Sequence, residues 1–504
     1  MPTRQPRFLM LWLPVAIAGM FAGPELAVAR TPPSPLWFKP LTVEPSPIAG
    51  RLKERLGVLE GQLSSEAKRV DLETALRSGL ENQPELAMAY AEIQGTEWRL
   101  VAARRQWSPT IQLSASPLVG LNASTEYSQP LIPIGPQAAG ATGPNEIVQL
   151  AGVEWTFFDP ARGPTIRSAG AELEAKKFLF DIRARDLLLR LQTRYVDLQA
   201  MLEKIQTHQE IYIFTTEQVM RSEALFNAGL RSIADVEQIR TAQLEQLQQL
   251  LRAYEELFTD SAELAGAMAL PDVKFVLPSE PLQPSEAWPL DREQTLQQAL
   301  ALREEIQASL AQASGASWEA SALQNQYLPK LSLSAAAGIN RLSRGNSETA
   351  TLDGAVGLGF SWTLFDGGLQ RAAANSRRSE SSQWQAEAAQ QRLQIRKQAV
   401  ATLARYAISQ LAIESAEARI RSSRAALIAV ESRYELGVTD MTTVLDNLRS
   451  AERAAVDRID AIHSHNTAVA SLYRYSAQWP ASTLPLVETR KGSASIRPEP
   501  YSSP

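Results

Sequence analysis

Trp155-Thr156-Phe157-Phe158-Asp159 returns as Trp362-Thr363-Leu364-Phe365-Asp366, about 207 residues along the chain. Each copy closes a stretch of alternating apolar residues. Each precedes a long helical run that continues to a glycine-centred break. A recurrence at this distance marks a duplicated half, not a short solenoid repeat. The unit reads strand, strand, long helix, tight turn, helix.

Working outward, the two halves stay in step. A shift of 220 lays Trp107-Ser108-Pro109-Thr110-Ile111 over Tyr327-Leu328-Pro329-Lys330-Leu331, and residues 80–86 over 300–306. The shift falls to about 207 at the tryptophans because the first half has a longer loop between its strands, from Pro117 to Asn145. Beyond them, Gly229 lies close to Gly437. The strands alternate with period two. Ile111, Leu113 and Ala115 oppose Gln112, Ser114 and Ser116; Leu331, Leu333, Ala335 and Ala337 oppose Ser332, Ser334 and Ala336. The returning strands put Val153, Trp155 and Phe157 on one face, then Val356, Leu358, Phe360, Trp362 and Leu364. Gly354, Gly357 and Gly359 imitate a nucleotide fingerprint, but on an alternating strand they read as small side chains facing a wet interior. Trp107, Trp155, Tyr327 and Trp362 fall where each strand pair meets its helices. Aromatics at one end of apolar-outward strands are the girdle of a membrane barrel. A secreted coiled-coil scaffold with a soluble sheet gives the same alternation but leaves the girdle unexplained.

No proline lies between Pro164 and Pro271, or between Pro329 and Pro480. The runs Arg162–Phe226 and Leu369–Leu436 therefore predict helices of roughly 100 Å, whose default packing is a coiled coil. Leu187, Leu191, Tyr195, Leu198 and Leu202 give the stripe. The return helices, Ile233–Ala267 and Met441–Tyr475, reach roughly half that length. Lead-in helices over 71–106 and 294–326 supply the missing half by end-to-end stacking, the first of them on the last return helix. Pro271 to Pro289 forms a proline-rich belt at mid-height. Gly229 and Gly437 suit left-handed helix ends. Ser232, and Thr439 or Asp440, offer oxygens to start the next helices.

Net charge is -5, from 50 basic and 55 acidic residues, so no nucleic-acid partner is indicated. Cysteine is absent, which excludes disulfides, thiolate metal sites and a lipid-bearing cysteine. The three histidines are His208, His463 and His465; the last two, two apart on a helix, do not face each other. No metal, cofactor or nucleophile–base arrangement is expected, hence no enzyme. Glu304-Glu305 reads as a pair of surface helix charges. Arg4, Arg7, the apolar stretch from Phe8 to Ala22 and Ala27-Val28-Ala29 make residues 1–29 a signal peptide. The expected organisation continues with a proline-rich N-terminal arm over 30–70, extended and poorly ordered over 31–48, and the first repeat over 71–270. An equatorial linker follows over 271–293, the second repeat over 294–480 and a disordered tail over 481–504.

Four strands cannot close a barrel, and sheet edges are untenable in lipid. Other copies must complete it: three would give twelve strands, within the outer-membrane range, and the helices would continue the lumen as a hollow cylinder below the membrane.

The pre-strand prolines, the paired Trp-Thr-x-Phe-Asp segments and the turns Phe226–Val236 and Arg433–Thr439, followed by Val444-Leu445-Asp446, resemble the TolC-like outer membrane efflux protein family over roughly residues 71–480. The resemblance implies the fold class, an α+β membrane protein whose homotrimer forms a twelve-stranded β-barrel continued by a periplasmic α-helical coiled-coil barrel. It implies a passive exit duct in the outer membrane for a tripartite efflux pump or type I secretion system. Its partners would be outer membrane lipid, a periplasmic adaptor (membrane fusion) protein and an inner-membrane pump or ABC transporter. It implies adaptor docking at Gly229, Leu230, Arg231, Ser232, Gly437, Val438 and Thr439. It also implies an acidic constriction at Asp446, with Thr443 where the family has a second acid. A closing latch is implied through Asp235 and Tyr434. Thr439 stands where the family carries a base, and Arg231 is expected to take over that part.

Overall fold

The computed structural model describes residues 47–113, 145–270, 272–344 and 347–479. The signal segment, the arm up to residue 46, Ser114 to Ser116, the loop tip and the tail lie outside the described residues, and all that follows concerns the unit Ser46–Pro504.

Helices α4 (Arg162–Asn227) and α8 (Leu369–Glu435) run 66 and 67 residues without interruption. Helices α5 (Ile233–Ala267) and α9 (Met441–Tyr475) return beside them. Each lead-in helix is broken in two, against expectation. The first gives α2 (Leu72–Asn82) and α3 (Pro84–Arg105); the second gives α6 (Arg292–Leu302) and α7 (Glu304–Asn325). Pro84 cannot donate to the helix and bars the helical conformation at Gln83, which is extended. Arg303 breaks the second helix at the matching place without a proline (φ -67, ψ 127).

The long helix α4 packs between α3 with α5 on one side and α7 with α9 on the other, and α8 packs beyond α7 and α9. The stacking differs from expectation. Gln83 Nε2 donates to the Ala267 carbonyl at 3.2 Å, so α2 and α3 sit on the end of α5. Arg474 near the end of α9 reaches Glu305 at the start of α7, at 2.7 Å. Each lead-in helix therefore stacks on the return helix of its own half. The cause is the strand hairpin, which brings α4 back beside α3 and leaves α5 to return along the same flank. Both return helices end in a left-handed alanine, Ala269 (φ 51) and Ala477 (φ 57), so the duplication extends to backbone strain.

The later part of the arm is built into the fold. Residues Pro47–Glu66 form α1, and Ala67–Val70 form β1, paired parallel with β4 (Phe275–Pro278) inside the proline-rich belt. Leu56, Leu63 and Val70, seven residues apart, are buried in the main apolar core with Leu250, Tyr254 and Leu257 of α5. Leu56 and Leu63 keep heptad spacing on α1, which begins where the proline-rich stretch ends, at Pro47.

A second sheet runs β2 (Thr110–Gln112), β3 (Asn145–Phe158), β5 (Lys330–Arg344), β6 (Ser347–Ser361), all antiparallel. The register lines up Ile111, Val153, Ala335 and Val356, and one step on Trp155, Leu333 and Leu358. A bulge pairs Phe158, not Phe157, with Leu331. Trp362 and Leu364 lie past the end of β6 and do not share its face. Ile111, Val356, Leu358 and Phe360 are 74%, 78%, 80% and 66% exposed, so the apolar face is uncovered in one chain. The opposite face carries Ser332, Ser334, Gly357 and Gly359; a Cβ on Gly359 would stand 2.5 Å from Ser332 Oγ. Among the described residues no helix is long and apolar enough to cross a membrane.

Candidate functional site: strand–helix junctions and helical turns

At the junctions the repeated tryptophan does one job twice. Trp155 Nε1 donates to the Trp107 carbonyl at 2.7 Å, and Trp362 Nε1 to the Tyr327 carbonyl at 2.8 Å. Each indole thus satisfies a carbonyl just past the end of a lead-in helix while its ring stays partly exposed. The aspartate that closes each motif went unassigned in the sequence. Asp159 accepts from the Ala161 N–H and pairs with Lys330. Asp366 accepts from the N–H groups of Gly368 and Gln370 and from the Tyr327 hydroxyl. Both start the long helices, and their place in the repeated motif was the available signal. Arg162 sits 4.7 Å from the Trp107 ring centre and donates to the Thr156 carbonyl.

At the other end, Gly229 (φ 75) and Gly437 (φ 77) close α4 and α8. Leu230 N–H reaches the Leu225 carbonyl and Val438 N–H the Arg433 carbonyl, each at 2.9 Å, the six-to-one bond of a Schellman end. Ser232 caps α5 through the Asp235 N–H. Asp440, not Thr439, caps α9, accepting from the Thr443 N–H and hydroxyl, and these bonds hold its carboxyl below the usual range. Leu230 and Val438 are 70% and 73% exposed, and side by side with the glycines they leave two uncovered turns.

The turns are tied together by Arg231. Its Nη2 donates to the Tyr434 carbonyl at 2.5 Å, and its guanidinium lies 4.3 Å from the Tyr434 ring centre. Tyr434 is buried with Val219 and Ile239 of the first hairpin and Met441, Val444 and Leu448 of the second. Its hydroxyl has no hydrogen-bond partner, so Asp235 does not reach it. Asp446 is exposed and lies 3.8 Å from Arg449, which also meets Glu245 at 3.2 Å. A base therefore stands beside the expected acid.

Glu304 and Glu305 are not surface charges. Arg185 meets Glu304 at 2.9 Å, Arg303 meets Glu305 at 2.5 Å, and Arg474 bridges Glu305 and Asp186. Burial pushes the Glu305 carboxyl up, but hydrogen bonds and charge from Arg303 and Arg474 prevail and bring it to about 2. The histidines join helices: His208 to Glu452, His463 to Asp197 and His465 to Ser409. Among the described residues no group of His, Cys, Asp or Glu could hold a metal.

Two continuous helices thus join the strand junctions at one end to bare turns at the other. The outer membrane efflux protein family model matches this chain twice, over residues 75–270 and 295–478, one match per half, and the chain belongs to that family. It serves efflux at the outer membrane and extends into the periplasm. Solved structures share the fold, three of them as follows. The CmeC outer membrane channel of Campylobacter jejuni has 17% identity and a TM-score of 0.69, covering 83% of this chain and 89% of that one. VceC of Vibrio cholerae has 17% identity and a TM-score of 0.67, covering 81% and 96%. The open MtrE channel of Neisseria gonorrhoeae has 17% identity and a TM-score of 0.64, covering 81% and 89%. No curated protein sequence matches the chain.

Proposed function

We propose that three copies of this chain close a twelve-stranded barrel in the outer membrane, continued by a helical tunnel, as the passive exit duct of a tripartite pump. The observation that carries this is the sheet. Its apolar face, from Leu352 to Phe360 on β6, is uncovered over roughly 26 Å of strand, close to the apolar band of an outer-membrane barrel. Its edges, β2 and β6, each lack a partner on one side within the described chain. Lipid tolerates no such edge, so other copies must pair with it.

The bare turns, Gly229 to Ser232 and Gly437 to Thr439, then serve as the docking end for a periplasmic adaptor, with an inner-membrane pump or ABC transporter beyond it. Arg231 on Tyr434 acts as the latch. Asp446 lines the narrow end, its charge offset by Arg449.

The test is purification followed by reconstitution in planar bilayers. Detergent-dependent trimers that carry single-channel current are expected. A monodisperse monomer without detergent and without current would instead support a secreted coiled-coil scaffold.

A further inference from the structure

The two strand–helix junctions share one backbone plan but differ in charge. Arg104 and Arg105 close α3, while Gln324 and Asn325 stand at the same places in α7, which has no base in its last turn. Arg162 opens α4, and Leu369 opens α8 at the matching position. The plan therefore folds without three guanidinium groups, and their presence at the first junction has another cause.

Their surroundings set a sign. Arg162 is 6% exposed, and no carboxylate pairs with it among the described residues. Its contacts are the Thr156 carbonyl and the Trp107 ring, and its Nε has no partner. A buried cation without an acid is costly, and the positive end of a helix makes it costlier. No acid lies in the first turn of α4, and Ala161 gives it no side-chain cap. At the second junction Asp366 covers that end by accepting from the Gly368 and Gln370 N–H groups. Asp159 is instead taken up by Lys330 and the Ala161 N–H. Arg104 and Arg105 are exposed and also pair with no carboxylate among the described residues. A Cβ on Gly163 would meet nothing within 4 Å, so there is room beside the helix start. Three cations and an uncapped helix start call for an anion from outside the chain.

The neighbouring surface says what kind. Trp107, Trp155 and Phe158 stand partly exposed beside these bases, and further along the strands Ile111 and Leu113 are bare. From helix to strand the order is base, aromatic, aliphatic. A phospholipid presents phosphate, glycerol and acyl chain in the same order at a membrane interface. Guanidinium groups suit phosphate oxygens through paired N–H donors. The surplus positive charge repels the ammonium of a zwitterionic headgroup, so a lipid of net negative charge fits better.

We propose that the first junction of each chain seats the phosphate of an anionic phospholipid, with Arg104 and Arg105 as its direct donors and Arg162 as the buried charge behind Trp107. This rests on the barrel reading and adds a headgroup class and its seat.

The experiment is native mass spectrometry of the full chain purified in a neutral detergent, titrated with phosphatidylglycerol or phosphatidylcholine. Phosphatidylglycerol should bind at least about tenfold more tightly, the effect of one charge-assisted bond. Arg104→Gln with Arg105→Asn copies the residues of the second junction and should remove most of that preference, leaving phosphatidylcholine binding unchanged. Arg162→Leu copies Leu369 and should weaken phosphatidylglycerol binding too; if it fails to fold by circular dichroism, the double variant decides. Equal affinities in the wild type, or a preference that survives the double variant, overturn the seat and leave the barrel standing. Inorganic phosphate that binds as tightly as phosphatidylglycerol overturns the lipid in favour of a soluble anion. A chain that needs no detergent and takes up neither lipid overturns both readings.

Discussion

Arg231 joins two turns that lie 203 residues apart in sequence. A guanidinium over a tyrosine ring contributes about 0.5–2 kcal/mol, and its bond to a carbonyl adds a similar amount. Arg231→Ala should therefore shift the balance between closed and parted turns toward parting by roughly tenfold or more. Single-channel recording checks this: the variant should spend more time in open states, while Arg231→Lys, which loses the planar stack, should fall between. Unchanged gating would remove Arg231 from the latch. This arrangement was half legible. The family resemblance put Thr439 where a base was expected and pointed to Arg231 instead. It did not show that the tyrosine hydroxyl would be sealed away from Asp235, because burial depends on the other hairpin.

At the scale of elements, the two mid-height joints solve one problem with different chemistry. The first joint is apolar, and Gly79 lets α2 approach α4 closely; a Cβ there would stand 2.4 Å from Leu191 Cδ1. Leu191 is fully buried and has no room to yield. Gly79→Val should cost about 1–3 kcal/mol through overpacking, read as a drop in thermal midpoint. The second joint is ionic, built on Glu304, Glu305 and three arginines. Glu305 titrates at about 2 when folded, below its ordinary 4.5. Its stabilisation is thus complete above pH 4.5 and lost as the pH falls from 4.5 toward 2. The linked contribution is roughly 3 kcal/mol. Thermal midpoints between pH 7 and pH 3 should fall in that window for the natural protein. Glu305→Gln should start lower, because two buried arginines lose a charged partner, and should lose less on acidification. Equal slopes for both would show that the pair is not what acid breaks. Sequence reading placed these glutamates on the surface because nothing within a few residues reveals Arg185 or Arg474 across the joint.

For the whole molecule, duplication supplies two strand pairs and two hairpins, and it leaves two unlike flanks. One ends in α3 and α5 behind a three-residue strand; the other ends in α8 behind a fifteen-residue strand. Unlike flanks close a ring only by head-to-tail contact, with the same surfaces meeting at every joint. Alternation of apolar residues, proline-free helical runs and glycine-centred turns are set by neighbours a few positions apart. The sequence alone therefore determined the duplication, the long helices, the return helices, the four strands and the turns. The break at Gln83 was also written locally, in Pro84. Tertiary structure decided the rest: the break at Arg303, the stacking of each lead-in helix on its own half, and the α1–β1 strap. It also decided the burial of Glu304 and Glu305. Those outcomes depend on what lies across a packing interface, and distant segments of the chain meet there only once it has folded.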